Sequence, residues 1–522
     1  MARRVRAAAP WVGAVVTGLL LAAAFAPLEW DDAAWICLVP LLLAARAVSP
    51  RRAIVLGFVG GSVFWLFSVA WLTHVTVIGW IALSLLCGLF LAPFAWFVSS
   101  AIRAMGTHVW FRNAGLMLSA SAVWVGLEYT RSHLFTGFPW NQLGVSQYRH
   151  LVMIQHASWG GVYAVSALIV FLNVAIALTI LRYADVRGRW GRRPHPELML
   201  GLLVVALGFG LGWRLFQNTA PANGTLRVAL IQPNIGQPDK WNPEKTDLVY
   251  RRLWELTDAA QRAGKVDLVV WPETAVPDDV RYSERSLGLV KALAANGTPI
   301  LVGTMDVEWM GNQPVYYNSS FLFDTEGTIV GGYDKCHLVV FGEYIPFAEA
   351  LPFVKAMTPI EASFSAGSTS TVFRVGSPPA AFSVLICFED TVAGLARRSV
   401  RNGARLLINQ TNDAWFEQSS AARQHRAHCV FRCVENRVAA IRATNSGVTC
   451  RMTRRGRITD ELVDADGRPF IKGFMTTEVD VAPDDLALTF YTRRGDVFAV
   501  VSTALGGLLL AFTGVRLRGK GC

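Results

Sequence analysis

The chain has 522 residues, more than one ordinary domain needs, with 52% hydrophobic and 17% charged residues. Its net charge of +11 could suit a nucleic-acid binder. However, the basic residues gather beside apolar stretches and form no aromatic-interleaved patch in the polar part of the chain, so nucleic acid is not an expected partner. The cysteines imply no disulfide framework: Cys37 and Cys87 lie in apolar stretches, and Cys429 and Cys433 are four apart on an expected helix, where bridge geometry is poor.

Taken in order, the chain opens with membrane spans. Residues Ala7 to Leu28 carry no Asp, Glu, Lys or Arg, and neither do Ala53 to Ile102. A bilayer core needs about 20 apolar residues per helix, so the second stretch accommodates two spans, with a turn at Thr73-His74-Val75-Thr76. The pattern predicts eight spans in all, near 10–28, 33–47, 54–73, 77–102, 113–130, 159–181, 197–215 and 497–515. The first reads as an uncleaved helix rather than a signal peptide. Basic residues then set orientation. Arg3, Arg4 and Arg6, Arg46 to Arg52, Arg103, Arg112, Arg182 to Arg193 and the tail from Arg516 fall on the cytoplasmic side, and the acidic loop Glu29-Trp30-Asp31-Asp32 falls outside. Both termini are then cytoplasmic and the segment between spans seven and eight is extracytoplasmic.

This divides the chain into a membrane domain over 1–215, an outer domain over 216–496, and a final span with its tail over 497–522. The outer domain reads as α/β, because β-branched apolar runs alternate with helical patterns. Strands are expected at Leu226–Gln232, Val266–Trp271, Ile300–Gly303, Ser319–Phe323, Phe382–Ile386, Arg405–Asn409 and Gly447–Met452. Helices are expected at Glu244–Ala263, Ser283–Ala295, Thr391–Asn402 and Ser419–Thr444.

Three of the strand-like runs end in chemistry. Phe382 to Ile386 leads into Cys387, Val269-Val270-Trp271-Pro272 leads into Glu273, and Gly332-Tyr333-Asp334 leads into Lys335. A thiol with a free pKa of about 8.5 needs a base to become a nucleophile. Glu273 is the candidate base, since a carboxylate screened from water gains basicity. Lys335 would stabilise an oxyanion together with the backbone N–H of Phe388. A lone buried Cys is usually a small hydrophobe, and either charged residue alone could be a surface group. The three together at strand ends are the stronger signal.

These segments resemble known motifs. Trp271-Pro272-Glu273, Asp334-Lys335-Cys336-His337 and Ile386-Cys387-Phe388-Glu389 are similar to the three motifs of the nitrilase superfamily. Phe341-Gly342-Glu343-Tyr344-Ile345-Pro346, Asn409 to Phe416, Gly137-Phe138-Pro139-Trp140-Asn141 and Tyr491 to Asp496 resemble the bacterial apolipoprotein N-acyltransferase family. The resemblance spans almost the whole chain, with one departure at Phe388, where the family pattern suggests Tyr. It implies a nitrilase-like αββα sandwich inserted before the last of eight membrane helices, and a Glu-Lys-Cys triad. It further implies transfer of an acyl chain from a phospholipid, through a thioester, to the α-amino group of a diacylglyceryl-cysteine on an apolipoprotein. No metal or cofactor is implied, and the location would be the bacterial inner membrane.

Glu343 is expected to orient Lys335, and Glu389 to hold or polarise the nucleophile's turn. Trp241, Tyr344, Asn412 and Trp415 are candidate substrate contacts, with core packing as the plain alternative for the two tryptophans. Phe341 to Phe364 reads as a lid that touches lipid. His425, His428, Cys429 and Cys433 share a helix face, but nearby Arg423, Arg426 and Arg432 favour packing over metal. Glu128 and Arg131 are expected to pair and anchor the Gly137–Asn141 arm. A membrane-tethered amidohydrolase is the competing function, and a degenerate scaffold a third. The number of spans argues against the hydrolase and the intact triad against the scaffold.

Overall fold

In the computed structural model, described over residues 2–105, 109–185, 195–218, 222, 224–345, 363–377 and 379–518, the chain forms two compact units. One comprises residues 1–218 with 494–522, and the other residues 219–493. The basic loop Arg187 to Arg193, Cys522 and most of the expected lid lie outside the described residues.

The first unit is helical. Among the described residues, five helices are long and apolar enough to cross a membrane: Pro50–Ser68, Val77–Ala104, Val162–Ala184, Pro196–Gln217 and Val497–Arg516. The expected total of eight includes three that do not meet both criteria. The apolar part of the first helix is Ala7–Ala23. The second, Val39–Ala47, has only 9 residues. The fifth, Trp110–His133, is long but carries Asn113, Glu128 and Arg131 on its buried side. The turn expected at Thr73–Thr76 is present, with the Thr76 side chain accepting from Gly79 N to start the next helix.

Glu128 and Arg131 both anchor the Gly137–Asn141 arm and its continuation, each through the backbone. Arg131 donates to Phe138 O at 2.6 Å and Trp140 O at 2.8 Å, with its guanidinium over the Trp65 ring. Glu128 accepts from Leu143 N at 2.7 Å.

The second unit is a two-sheet sandwich. Its strands are β1 (Thr225–Gln232), β2 (Leu268–Val270), β3 (Ile300–Met310), β4 (Gln313–Phe323), β5 (Ile329–Asp334), β6 (Phe373–Val375), β7 (Ala380–Ile386), β8 (Leu406–Thr411), β9 (Ala439–Thr444), β10 (Cys450–Met452), β11 (Ile458–Glu461) and β12 (Gly473–Asp480). One sheet runs β12-β1-β2-β3-β4-β5 and the other β11-β10-β9-β8-β7-β6. The central pairs β1–β2, β2–β3, β7–β8 and β8–β9 are parallel.

Alternation along each strand explains the layers. Val228, Leu230, Leu268 and Val270 of one sheet meet Phe382, Val384, Ile386, Leu406 and Ile408 of the other. The opposite face of the first sheet, with Ala229, Ile231 and Val269, packs on Val249, Leu253, Val290 and Leu293 of the helices Thr246–Arg262 and Glu284–Ala294.

The expected helix Ser419–Thr444 is corrected. It spans Ala421–Asn436 and ends where Arg437 adopts a left-handed conformation at φ +58°. Ala439–Thr444 is then the parallel strand beside β8. Ala-Ala-Ile-Arg-Ala-Thr has helical propensity, but burial on both faces between two sheet neighbours overrides it.

Candidate active site

Three strand ends assemble the site. Glu273 follows β2, Lys335 follows β5, and Cys387 follows β7. Lys335 is 1% exposed. Its ammonium lies 2.7 Å from Glu343 Oε1 and 3.5 Å from Glu273 Oε1. Asn318 on β4, absent from the sequence expectations, donates its amide to both carboxylates, at 2.8 Å to Glu273 and 3.0 Å to Glu343. Lys335 N donates to Asn318 O at 2.8 Å. One cation and one amide therefore join the two acids. Burial pulls the Lys335 pKa down, but Glu343 and Glu273 outweigh it and hold the ammonium charged.

Cys387 sits in a strained turn at φ +52°. A left-handed non-glycine conformation costs on the order of 1–3 kcal/mol and persists only where surroundings hold it. Here Asn409 Nδ2 donates to Cys387 O at 3.0 Å, and His425 Nε2 lies 3.1 Å from the same oxygen. Burial pushes the thiol pKa well up and the Glu273 charge adds to this, while Lys335 opposes. The thiol therefore rests neutral and would need a base to act as a nucleophile.

Glu389 is fully buried and ties the turns together. It accepts from Cys336 N, His337 N and Ile386 N, and from the Tyr333 hydroxyl. Burial raises its pKa to about 7, while the backbone donors favour the carboxylate. One side chain thus pins the residue after Lys335 to the residue before Cys387.

The Glu273 turn is also strained, with Thr274 at φ +42°. A second lysine holds it. Lys240 is 2% exposed, and its ammonium donates to Glu273 O at 3.2 Å and Thr274 Oγ1 at 2.5 Å. Burial lowers its pKa to about 8. Gly303 lets the turn approach β3, because a Cβ there would lie 2.2 Å from Pro272 O. Sequence reading passed over Lys240, although its place beside Trp241 offered a signal. Replacing Lys240 by Met is expected to slow acylation of Cys387 about 10- to 100-fold, the value of a buried charged hydrogen bond, with the fold retained. Single-turnover kinetics checks this, and a rate within twofold of wild type would exclude the role.

Of the expected substrate contacts, Trp241 and Trp415 are exposed. Tyr344 is half-buried. Asn412 is buried, donates to Gln237 Oε1 at 3.0 Å and accepts from Asn445 Nδ2 at 2.8 Å, so its side chain is taken up by neighbouring loops. The described ends of the expected lid meet where Phe364 N donates to Glu343 O at 2.9 Å. His425 contacts Asp413 at 3.0 Å through Nδ1 and Asp390 at 2.9 Å through Nε2, which gives the imidazole an ion-pairing role.

A two-sheet sandwich with Glu, Lys and Cys at three strand ends defines a carbon-nitrogen hydrolase domain, and residues 227–478 match that family. Residues 17–175 match the apolipoprotein N-acyltransferase N-terminal domain. The chain is 39% identical to apolipoprotein N-acyltransferase of Geobacter metallireducens, over 95% of this chain and 94% of that protein. It is 30% identical to that of Gloeobacter violaceus, over 99% and 97%. It belongs to the apolipoprotein N-acyltransferase family. Among solved structures it is similar to Saccharomyces cerevisiae Nit3 of the nitrilase superfamily, at 20% identity, over 53% of this chain and 95% of that one, with a TM-score of 0.37.

Proposed function

We propose that the protein transfers an acyl chain from a membrane phospholipid, through a thioester on Cys387, to the α-amino group of a diacylglyceryl-cysteine at the N-terminus of an apolipoprotein. The observation that carries this reading is the convergence of Glu273, Lys335 and Cys387 in a member of this family.

In the first half-reaction Glu273 takes the thiol proton as Cys387 Sγ bonds to the ester carbonyl carbon. Negative charge moves to the carbonyl oxygen, where the Lys335 ammonium and the N–H of Phe388 stabilise it. The intermediate collapses, the carbon–oxygen bond to glycerol breaks, and Glu273 returns the proton to the departing lysophospholipid. In the second half-reaction the acceptor amine attacks the thioester and loses a proton to Glu273. The Cys387 thiolate leaves and is reprotonated. Glu343 and Asn318 keep Lys335 and Glu273 in register, a positioning task. Two half-reactions at one thiol replace a single difficult transfer.

Phe388 leaves the backbone donor in place and supplies no hydroxyl. Both substrates are lipid-anchored, which accounts for the fusion to apolar helices and fits an inner-membrane enzyme with its catalytic domain on the outer side. The test is to incubate the purified protein with labelled phospholipid, look for an acyl adduct at Cys387, and then add a diacylglyceryl-cysteine peptide. An adduct discharged only to water would favour the tethered hydrolase, and absence of an adduct would sink both enzyme readings.

A further inference from the structure

Outside the triad, the sandwich carries a second recess of about 750 Å³. Pockets of this size hold small ligands. Its basic groups are Arg397, Arg398 and Arg401 on the helix Ala393–Arg401, and Cys336 and His337 contribute to the lining. No Asp or Glu is among its described lining residues.

The arginines are not explained by the helix itself. Like charges at positions 397 and 401, and at 398 and 401, repel across one turn, and the helix contains no acid. Arg397 is committed to the backbone, donating to Thr492 O at 2.9 Å and Arg493 O at 3.1 Å. These are the last residues of the domain before the chain enters the span Val497–Arg516. Arg398 and Arg401 are exposed and form no ion pair among the described residues.

The opposite part of the lining is joined to the catalytic turns. Cys336 N and His337 N bond to Glu389, which also receives Ile386 N beside the nucleophile. The His337 ring stacks on Phe388, with centroids 5.9 Å apart. An anion seated between these walls would lie one residue along the chain from Lys335.

We propose that this recess is a phosphate site that takes the head-group phosphate of the acyl donor, with Arg398 and Arg401 as its charge partners. This rests on the phospholipid reading above and adds the place where the head group binds. The recess is linked to the turn of Cys387 through its lining residues Cys336 and His337, by way of Glu389 and the Phe388 ring. Guanidinium pairs suit this task because their fork matches two phosphate oxygens.

The test uses the full-length protein in neutral detergent and the double variant Arg398→Gln/Arg401→Gln. Acyl-adduct formation at Cys387 is followed against the concentration of two donors, a short-chain diacyl phospholipid and an acyl p-nitrophenyl ester that lacks phosphate. For the variant, half-saturation by phospholipid is expected to rise about tenfold or more. The limiting rate, and all kinetics with the p-nitrophenyl ester, should match wild type. Glycerol phosphate should compete with phospholipid in wild type and much less in the variant, and Arg398→Lys/Arg401→Lys should recover part of the affinity.

Equal losses with both donors, or no change with either, would overturn the proposal. So would failure of glycerol phosphate to compete while anionic vesicles bind the wild type better than the variant, because that pattern marks surface charge rather than a phosphate site. If wild type forms an adduct with the ester but none with the phospholipid, the donor reading fails and this site fails with it. That result is distinct from a site that is absent in a working phospholipid acyltransferase.

Discussion

Cys387→Ala is expected to abolish the acyl adduct and lower turnover by at least about 10⁴-fold, the scale seen when a covalent nucleophile is removed. The basis is geometric. Among the described cysteines, only Cys387 combines a strand-end position, a turn held at φ +52°, and the fields of Glu273 and Lys335. Cys336 lies one residue from Lys335, but its sulfur faces the carbonyls of Asp334 and Thr369. Cys429 and Cys433 are buried in the helix Ala421–Asn436. Alanine removes one sulfur from a half-buried position, so folding should be preserved. Intact-mass measurement after incubation with donor lipid gives the answer. An adduct that persists in Cys387→Ala, or that disappears in Cys429→Ala, would refute the assignment.

Arg442→Met is expected to destabilise the catalytic domain by about 3–5 kcal/mol, the cost of leaving buried charge uncompensated. For a domain of this size that lowers the apparent melting temperature by roughly 10 °C. Arg442 is fully buried on β9 and ion-pairs with Asp390, with Asp413 3.6 Å away. His425 bridges the same two acids. Burial alone would push both acids up, but His425 and Arg442 outweigh it and hold both pKa values below the ordinary range. Without Arg442, two buried carboxylates share one imidazolium. Arg442→Met/Asp390→Asn removes one of those charges and should recover part of the loss. Thermal unfolding of the purified variants decides it, and an Arg442→Met protein as stable as wild type would remove the cluster from the account.

The same cluster has a defined pH dependence. Burial disfavours the charged His425, yet Asp390 and Asp413 raise its pKa from 6.5 to about 9. Its stabilising contribution is fully present below 6.5 and is lost as pH rises through about 9. The contribution of the two acids is present above their ordinary value of 3.8 and is lost only as pH falls below it. His425→Asn should therefore cost most stability between these limits and least at the alkaline end. Because His425 also contacts Cys387 O, acylation should weaken over the same alkaline range.

The amino-acid sequence by itself determined the candidate catalytic residues and their rough position. Runs such as Phe382–Ile386 and Leu268–Trp271 are largely apolar because both faces of a central sandwich strand are buried, so their ends were legible as places to display Cys387 and Glu273. Charge-free stretches marked the apolar helices for an equally local reason, although a count of spans did not follow. Val39–Ala47 is too short, and Trp110–His133 mixes polar groups into its packed side.

Only the tertiary structure decided how the site is held. Asn318 comes from β4, Lys240 from the short helix Gln237–Lys240, His425 from a longer helix and Arg442 from a strand that reads as helix. Nothing in their local spacing records that they converge, because each is buried by neighbours far away in the chain. The strain at Thr274 and Cys387 was equally invisible. A left-handed residue other than glycine leaves no local pattern, and it persists through hydrogen bonds that exist only once the two sheets have packed.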